Sequence, residues 1–487
     1  MDLPNSYRKQ QQHGKGDGKE LCDLLVVCGD DIIIFSDKSV AWSATASVDI
    51  GWKRWYRKAI HSSLQQNRGA ERWLREFPER IFLDKGCIAP LPIELPPVER
   101  RRIHGIVIAV GATEACKNYF NDPAGMFMIS SEQRGEDHNY QPFLIGDIDP
   151  NGPFVHVFDR PGTDLLLKLL DTITDFTIYL ERRARAIRGG RIISASDEAD
   201  LVAYYMANIG PDGEHDFVHP QNREWRPQET LIVTPGYYKE VINEAGFIRK
   251  IKADKISYAW DRLITQFSDN VVAGTSVSVL GEVPTPASAE RALRAMARER
   301  RVHRRLLGEQ VITAYREMIR HKMPRFARIM MPSQTSIDKS CAYILMILAY
   351  PDDIELENGY QQYREARVRM LEVYCLALMS RHRDLEAVVG IGVDAPSEMT
   401  GREGGSEDLV FVGKQEWSPE FAAEVEKRRL EYSILESYRG SARQVSVDEY
   451  PGSADDARAL ERAQAKRDRK RMARLRSMDG FGRSSSP

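Results

Sequence analysis

The sequence predicts a mixed fold, α+β or α/β, with a sheet-bearing amino-terminal domain followed by a helix-rich α+β carboxy-terminal region. Three observations carry this. Short runs rich in β-branched residues, bounded by Gly, Asp and Pro, recur through about the first 160 residues. Longer patterns with apolar residues every three or four positions punctuate the rest. With 487 residues, 42% of them hydrophobic, the chain also has apolar material for more than one core.

Residues 1–19 are polar and glycine-containing and read as a flexible arm. Leu21–Cys28 and Ile32–Phe35 are short apolar runs separated by Gly29-Asp30-Asp31, the pattern of a β-hairpin. A helix from about Trp52 to Phe77 stops at Pro78. Strands are expected at Arg80–Leu83, Ile103–Val110, Met126–Ser130, Phe143–Ile148 and Phe154–Phe158. Thr163–Arg188 reads as one long amphipathic helix capped by Thr163 and stopped by Gly189-Gly190. These elements place the first domain at 20–190, with a mixed connecting region at 191–285. Over 286–440, Ser288–Arg320 and Tyr360–Arg381 predict long helices. Phe326–Met331, Cys341–Tyr350 and Ala387–Val393 predict strands, and Gly401–Gly405 a loop. Residues 441–487 form a basic, solvated tail.

Six cysteines show no CxxC pairing and no zinc spacing, so reduced thiols in a cytoplasmic protein are expected. The longest apolar stretch, Cys341–Tyr350, is too short for a bilayer span, and no membrane partner is expected. The balance of 69 Lys+Arg against 71 Asp+Glu would argue against nucleic acid if charge were evenly spread. It is not. Residues 52–80 hold eight Lys/Arg against three acids, with Trp52, Trp55, Tyr56 and Trp73 interleaved; Lys58 and Arg68 are candidate phosphate contacts. Residues 288–320 hold nine arginines against four glutamates, and Arg291, Arg294, Arg298, Arg301 and Arg305 would line one face of a continuous helix. The basic tail at 455–477 is offset by an acidic segment at 384–426, suited to a basic partner or to the tail itself.

The segment with most chemistry runs from Glu20 to Lys38. An antiparallel hairpin brings the start of its first strand beside the end of its second, so Asp23, Asp37 and Lys38 would share one sheet edge. Carboxylate oxygens there suit Mg²⁺ (or Mn²⁺), and a nearby ammonium suits water or phosphate. This arrangement resembles the PD-(D/E)XK nuclease superfamily, including its nuclease-related-domain members. The resemblance implies a mixed sheet flanked by helices over about residues 1–160. Asp23 would be the principal metal ligand, with Glu20 and Asp37 as supporting acids. Lys38 would orient or activate the attacking water, and Gln66, which shares a helical face with Lys58 and Ser62, would support water or phosphate. The departure is Ser36, which stands where the family carries an acid. Its acid is instead Asp37, adjacent to the lysine, and strand alternation turns Asp37 away from Lys38 unless a bulge intervenes.

The expectation is a Mg²⁺-dependent nucleic-acid phosphodiesterase of endonuclease type, acting on DNA more than RNA, in restriction, repair or antiviral defence. The alternative is a catalytically inactive nuclease-fold protein that binds nucleic acid or a protein partner. The carboxy-terminal region would bind substrate, a protein partner or a second copy. Two other patterns carry less. Asp147–Gly152 opens like a calcium loop but has Phe158 at its twelfth position, which makes an acidic hairpin turn the better reading. His215 and His219 lie in a loop rather than on a helix.

Overall fold

The computed structural model describes residues 20–43, 47–84, 86–189, 192–209, 214–217, 230–272, 278–279, 286–350, 359–400, 405–436 and 447–452. The arm at 1–19, Gly190, His219, most of the Gly401–Gly405 loop and the tail from 453 onward lie outside the described residues.

The chain opens with the predicted hairpin, β1 (Leu24–Cys28) and β2 (Asp31–Ser39), paired antiparallel in unbroken register from Leu24↔Phe35 to Cys28↔Asp31. Gly29 takes φ +65° in its two-residue turn, the positive value that such turns require. Helices α1 (Val48–Tyr56) and α2 (Ser62–Glu76) follow, joined by a π turn at Arg57–His61. They cross to β3 (Arg102–Val110), which lies parallel to β2. Where a strand was expected at Arg80–Leu83, the described residues form only an isolated bridge from Phe82 to Pro90. Helix α3 (Thr113–Phe120) leads to β4 (Met128–Arg134) and β5 (Leu144–Asp147), and then comes β6 (Val155–Asp159). The first sheet has the order β1-β2-β3-β6.

The expected helix over Thr163–Arg188 is two helices, α4 (Arg160–Leu169) and α5 (Ile173–Arg188). Asp159, not Thr163, caps the first, and Thr172 caps the second. Capping wins because each side chain offers an acceptor to an otherwise orphaned N–H. Strand β7 (Ile192–Ala195), helix α6 (Glu198–Ala207) and β8 (Thr230–Val233) complete a second sheet of order β5-β4-β7-β8. The Asp147–Gly152 turn therefore links two sheets and is not a hairpin.

Alternation along β2 divides its side chains between two cores. Ile32 and Ile34 pack with Ala70, Trp73 and Leu74 of α2, while Ile33 and Phe35 pack with Leu166, Tyr179 and Leu180 of α4 and α5. The tryptophans Trp52 and Trp55 are buried against Phe127 and Phe143, so they hold the core and do not stack on bases.

Helices α7 (Tyr237–Ile242), α8 (Ala245–Asp254) and α9 (Tyr258–Val272) precede the short strand β9 (Ser278–Val279). The predicted Ser288–Arg320 helix breaks into α10 (Pro286–Ala297) and α11 (Arg301–His321). Strand β10 (Arg325–Met330), β11 (Cys341–Leu348), helix α12 (Gly359–Arg381), β12 (Ala387–Asp394), helix α13 (Ser397–Thr400), β13 (Glu407–Gly413) and α14 (Pro419–Glu431) follow. They form a mixed sheet of order β10-β11-β12-β13-β9, with α9–α11 on one face and α12 and α14 on the other. The whole is a mixed α/β fold. No helix among the described residues is long and apolar enough to cross a membrane.

Candidate functional site

On β2 the apolar pattern gives way to Ser36 and Lys38, both facing α2. Ser36 is fully buried and donates to Gln66 Oε1 at 2.8 Å. The Lys38 ammonium donates to Ser62 Oγ at 3.1 Å. Ser62 and Gln66 stand one turn apart on α2, immediately after the π turn, an irregularity that is frequent at functional sites. Four polar side chains thus occupy an interface that is otherwise packed with Ile, Ala, Trp and Leu. Beside Gln66, the buried Asn67 donates to the carbonyls of Ser63 and Ile106, while its Oδ1 has no partner. Buried polar groups carry a desolvation cost that an apolar interface avoids.

Asp23 lies one residue before the paired stretch of β1. Its N–H donates to the Phe35 carbonyl, and its carboxylate accepts from the Asp37 N–H at 2.8 Å. Burial raises the Asp37 carboxyl above its ordinary range; the charge of Arg160 at the start of α4 offsets part of this, and the neighbouring charge of Asp23 adds to it. Asp37 is therefore turned toward α4 while Lys38 is turned toward α2. The register of β2 with β3 runs unbroken through Asp37↔Ile108 and Lys38↔Ala109 and contains no bulge to reverse this. No ion pair among the described residues joins Lys38 to Glu20, Asp23 or Asp37, and those three acids do not gather as a group within 4.8 Å; Glu20 is exposed.

Among the described residues, one group of three His, Cys, Asp or Glu side chains is gathered closely enough to hold a metal ion. Ligand atoms of Asp31, His104 and Glu181 all lie within 4.8 Å of one another. It sits at the turn end of β2, seven residues and about 23 Å of strand from Lys38. Arg102 already bridges it, at 2.6 Å to Asp31 and 3.1 Å to Glu181, and His104 Nε2 is 2.9 Å from Asp31. Burial pushes the Asp31 carboxyl up, but hydrogen bonds from His104 and Arg102 outweigh it and hold the group below its usual range. Sequence reading missed this group because its members are distant along the chain and no spacing motif joins them.

The predicted nucleic-acid contacts divide sharply. Lys58 is exposed on α1's continuation through the π turn. Arg68 is instead tied to the buried Asp149 carboxylate, with Nε at 2.5 Å from Oδ2. The arginine stripe is interrupted at Arg298–Arg300, so the five residues share no single face. Arg291 stacks on Phe411, Arg294 pairs with Glu290 at 2.8 Å, and Arg298 lies against the Gly29 turn. Arg301 is buried between Asp171 at 2.8 Å and Asp261 at 2.6 Å, and Arg305 bonds Asp254 at 2.6 Å. Arg301 and Arg305 are spent on internal acids and cannot track a phosphate backbone, which corrects the expectation drawn from their spacing. Two acids of the acidic segment are engaged within the fold, since Asp394 and Asp408 flank the buried Arg367. Comparison of the chain with protein-family models, with curated proteins and with solved structures finds no match.

Proposed function

We propose that the amino-terminal region is a Mg²⁺-dependent nucleic-acid phosphodiesterase of PD-(D/E)XK type. The observation that carries the reading is the polar file Ser36, Lys38, Ser62 and Gln66, set into an apolar strand–helix interface beside Asp23. The order of hairpin, helix and parallel strand supports the reading, because it is the order that the resemblance implies.

The donor chemistry fits Mg²⁺ through two carboxylates. Asp23 and Asp37 are close enough for one charge to raise the other's pKa, and an ion held between neighbouring acids relieves that repulsion. Magnesium takes one or two carboxylates and keeps waters in its remaining positions. Asp23 and Asp37 would hold it, and the ion would supply Lewis-acid stabilisation of phosphate charge. Lys38, steadied by Ser62, would hold a phosphate oxygen or a water from the α2 side. Gln66, fixed by Ser36, would orient the same group. Glu20 stands outside this set.

A second reading is a nuclease-like scaffold that binds nucleic acid without turnover. It is favoured by one feature: Ser36 replaces the acid and is engaged with Gln66, while Asp37 faces the opposite side of the strand from Lys38. Cleavage of DNA and RNA substrates with Mg²⁺ or Mn²⁺, in wild type, Lys38→Ala and Asp23→Ala, separates the two. The phosphodiesterase predicts turnover in wild type and a loss of at least about a hundredfold in each variant. Equal cleavage by all three proteins would overturn it, and binding without cleavage would favour the second reading.

A further inference from the structure

Residues 50–70 contain five Lys/Arg and no Asp or Glu. Four of these, Lys53, Arg54, Arg57 and Lys58, are exposed on α1 and the π turn, because Trp52, Trp55, Tyr56, Ala59 and Ile60 claim the buried face. None of the four forms an ion pair with a described residue. This separates them from Arg68, Arg294, Arg301 and Arg305, whose charges are spent internally.

Exposed aromatic rings border this helix: Tyr140 lies against its basic face, and Tyr119 and Phe120 pack on Phe143, which touches Trp52 of α1. The buried Phe143 ring is a hub, with Trp42 at 5.3 Å, Tyr119 at 5.4 Å and Phe120 at 6.3 Å. Tyr119 and Phe120 are 47% and 37% exposed, and Tyr140 is 70% exposed, far more than ring burial in a core would leave. The Lys53 ammonium sits 5.0 Å from the Tyr140 ring centroid, which joins that ring to the basic stripe. The stripe also runs into the candidate site: Lys58 lies one turn before Ser62, whose hydroxyl donates to the Lys58 carbonyl.

Unpaired cations beside solvent-facing rings complement a polymer that offers phosphates and unstacked bases together. A duplex offers only its phosphates, since its bases are already stacked. We infer that this face binds an unpaired polynucleotide strand, with its phosphates on Lys53, Arg54, Arg57 and Lys58 and its bases on Tyr119, Phe120 and Tyr140. The inference builds on the phosphodiesterase reading by naming the form of substrate that site would receive.

The test measures binding of fluorescent dT and U oligomers and of a duplex of equal length, over a range of salt and with EDTA present so that turnover does not enter. Wild type is expected to bind the single strands at least about tenfold more tightly than the duplex. Reversing the stripe (Lys53→Glu, Arg54→Glu, Arg57→Glu, Lys58→Glu) should flatten the single-strand salt slope by about 3, at about 0.7 per phosphate contact. Tyr140→Ala, an exposed position that carries little folding risk, should weaken single-strand binding about fivefold or more and leave duplex binding unchanged. The dT and U arms report whether the sugar matters. Unaltered binding in the stripe variant, preference for duplex, or no effect of Tyr140→Ala and Phe120→Ala would each overturn the inference. Cleavage is measured separately with Mg²⁺. Turnover without this binding pattern fails the inference and spares the phosphodiesterase; the pattern without turnover does the reverse.

Discussion

Asp197 shows at a single residue how burial writes itself into a pH profile. It caps α6, accepting the Asp200 N–H at 2.7 Å, and is 8% exposed. Burial, with the nearby charge of Asp200 added, raises its carboxyl to about 7. Between the unfolded value near 3.8 and 7, the native state holds a proton that the unfolded state has lost. Stability therefore falls as pH rises through that window, and the native state carries a strained charge above it. Asp197→Asn keeps an acceptor for the Asp200 N–H and removes the charge. The variant should match wild type near pH 4 and exceed it at pH 8 by on the order of 3 kcal/mol. Chemical denaturation at the two pH values checks this, and a pH-independent difference would contradict it. Nothing in the local sequence distinguishes Asp197 from any other helix cap; its burial in the folded chain makes the difference. The pairing of β1 with β2 and the shared face of Ser62 and Gln66 were legible for the opposite reason, since hairpin register and helical spacing are local properties. The side on which Asp37 lies was legible too, because alternation in an unbulged strand leaves no choice.

At the level of elements, the strands densest in Ile and Val were legible, Arg80–Leu83 was not a strand, β7, β8, β9 and β13 were not foreseen, and two long helices proved to be broken. The runs that became β2, β3, β11 and β12 are dense in Ile and Val and bounded by turn residues, and they appear within a few residues of expectation. The helices at 163–188 and 288–320 failed in a common way, because periodic apolar and arginine spacing continues across a break that tertiary contacts impose. At Thr172 the break is fixed by a cap: its hydroxyl accepts the Asp175 N–H at 3.1 Å and donates to the Asp175 carboxylate at 2.7 Å. Asp175 in turn accepts Arg300 Nε at 2.9 Å and the Arg301 N–H at 2.8 Å, so this cap also seats the start of α11. Two breaks invisible to periodicity therefore hold each other in place. Thr172→Ala should cost about 1–2 kcal/mol in denaturant unfolding, and Thr172→Ser should restore most of it. Thr163→Ala, at the position favoured by sequence, should cost less, because among the described residues its hydroxyl bonds only the carbonyl of Asp159, one turn earlier. Equal losses at the two sites would mean that α5's cap does no more than an ordinary hydroxyl contact.

Across the whole molecule, a short piece of the expected tail belongs to the folded body. Residues 447–452 lie against α6, α8 and α11: Tyr450 donates to the Met206 carbonyl at 2.6 Å, and Arg249 Nε donates to the Pro451 carbonyl at 2.8 Å. Arg305 Nη1 donates to the carbonyls of Asp448 and Glu449, each at 3.0 Å. The Glu449 carboxylate meets Lys250 at 3.1 Å and His215 at 3.7 Å. Composition could not reveal this, because the docked residues are few and follow a stretch without apolar periodicity. The arginine chosen by sequence for nucleic acid, Arg305, finds its role here, binding the chain's own backbone. Burial pushes the Glu449 carboxyl up, but Lys250, His215 and Arg305 outweigh it and hold the group well below its ordinary range. Its contribution is therefore present above the unfolded value near 4.5 and lost as pH falls toward the depressed folded value. Glu449→Gln leaves Lys250 with Asp254 as its one remaining carboxylate among the described residues and should destabilise the protein at pH 7 by about 3 kcal/mol, an amount typical of a broken buried pair. The deficit should shrink below pH 4. Combining Glu449→Gln with Lys250→Met removes the stranded cation and should recover part of the loss, as coupled neighbours do. Thermal and denaturant unfolding of the three variants measure this directly. Additive losses in the double variant would show that segment 447–452 is held by its backbone contacts and Tyr450 alone.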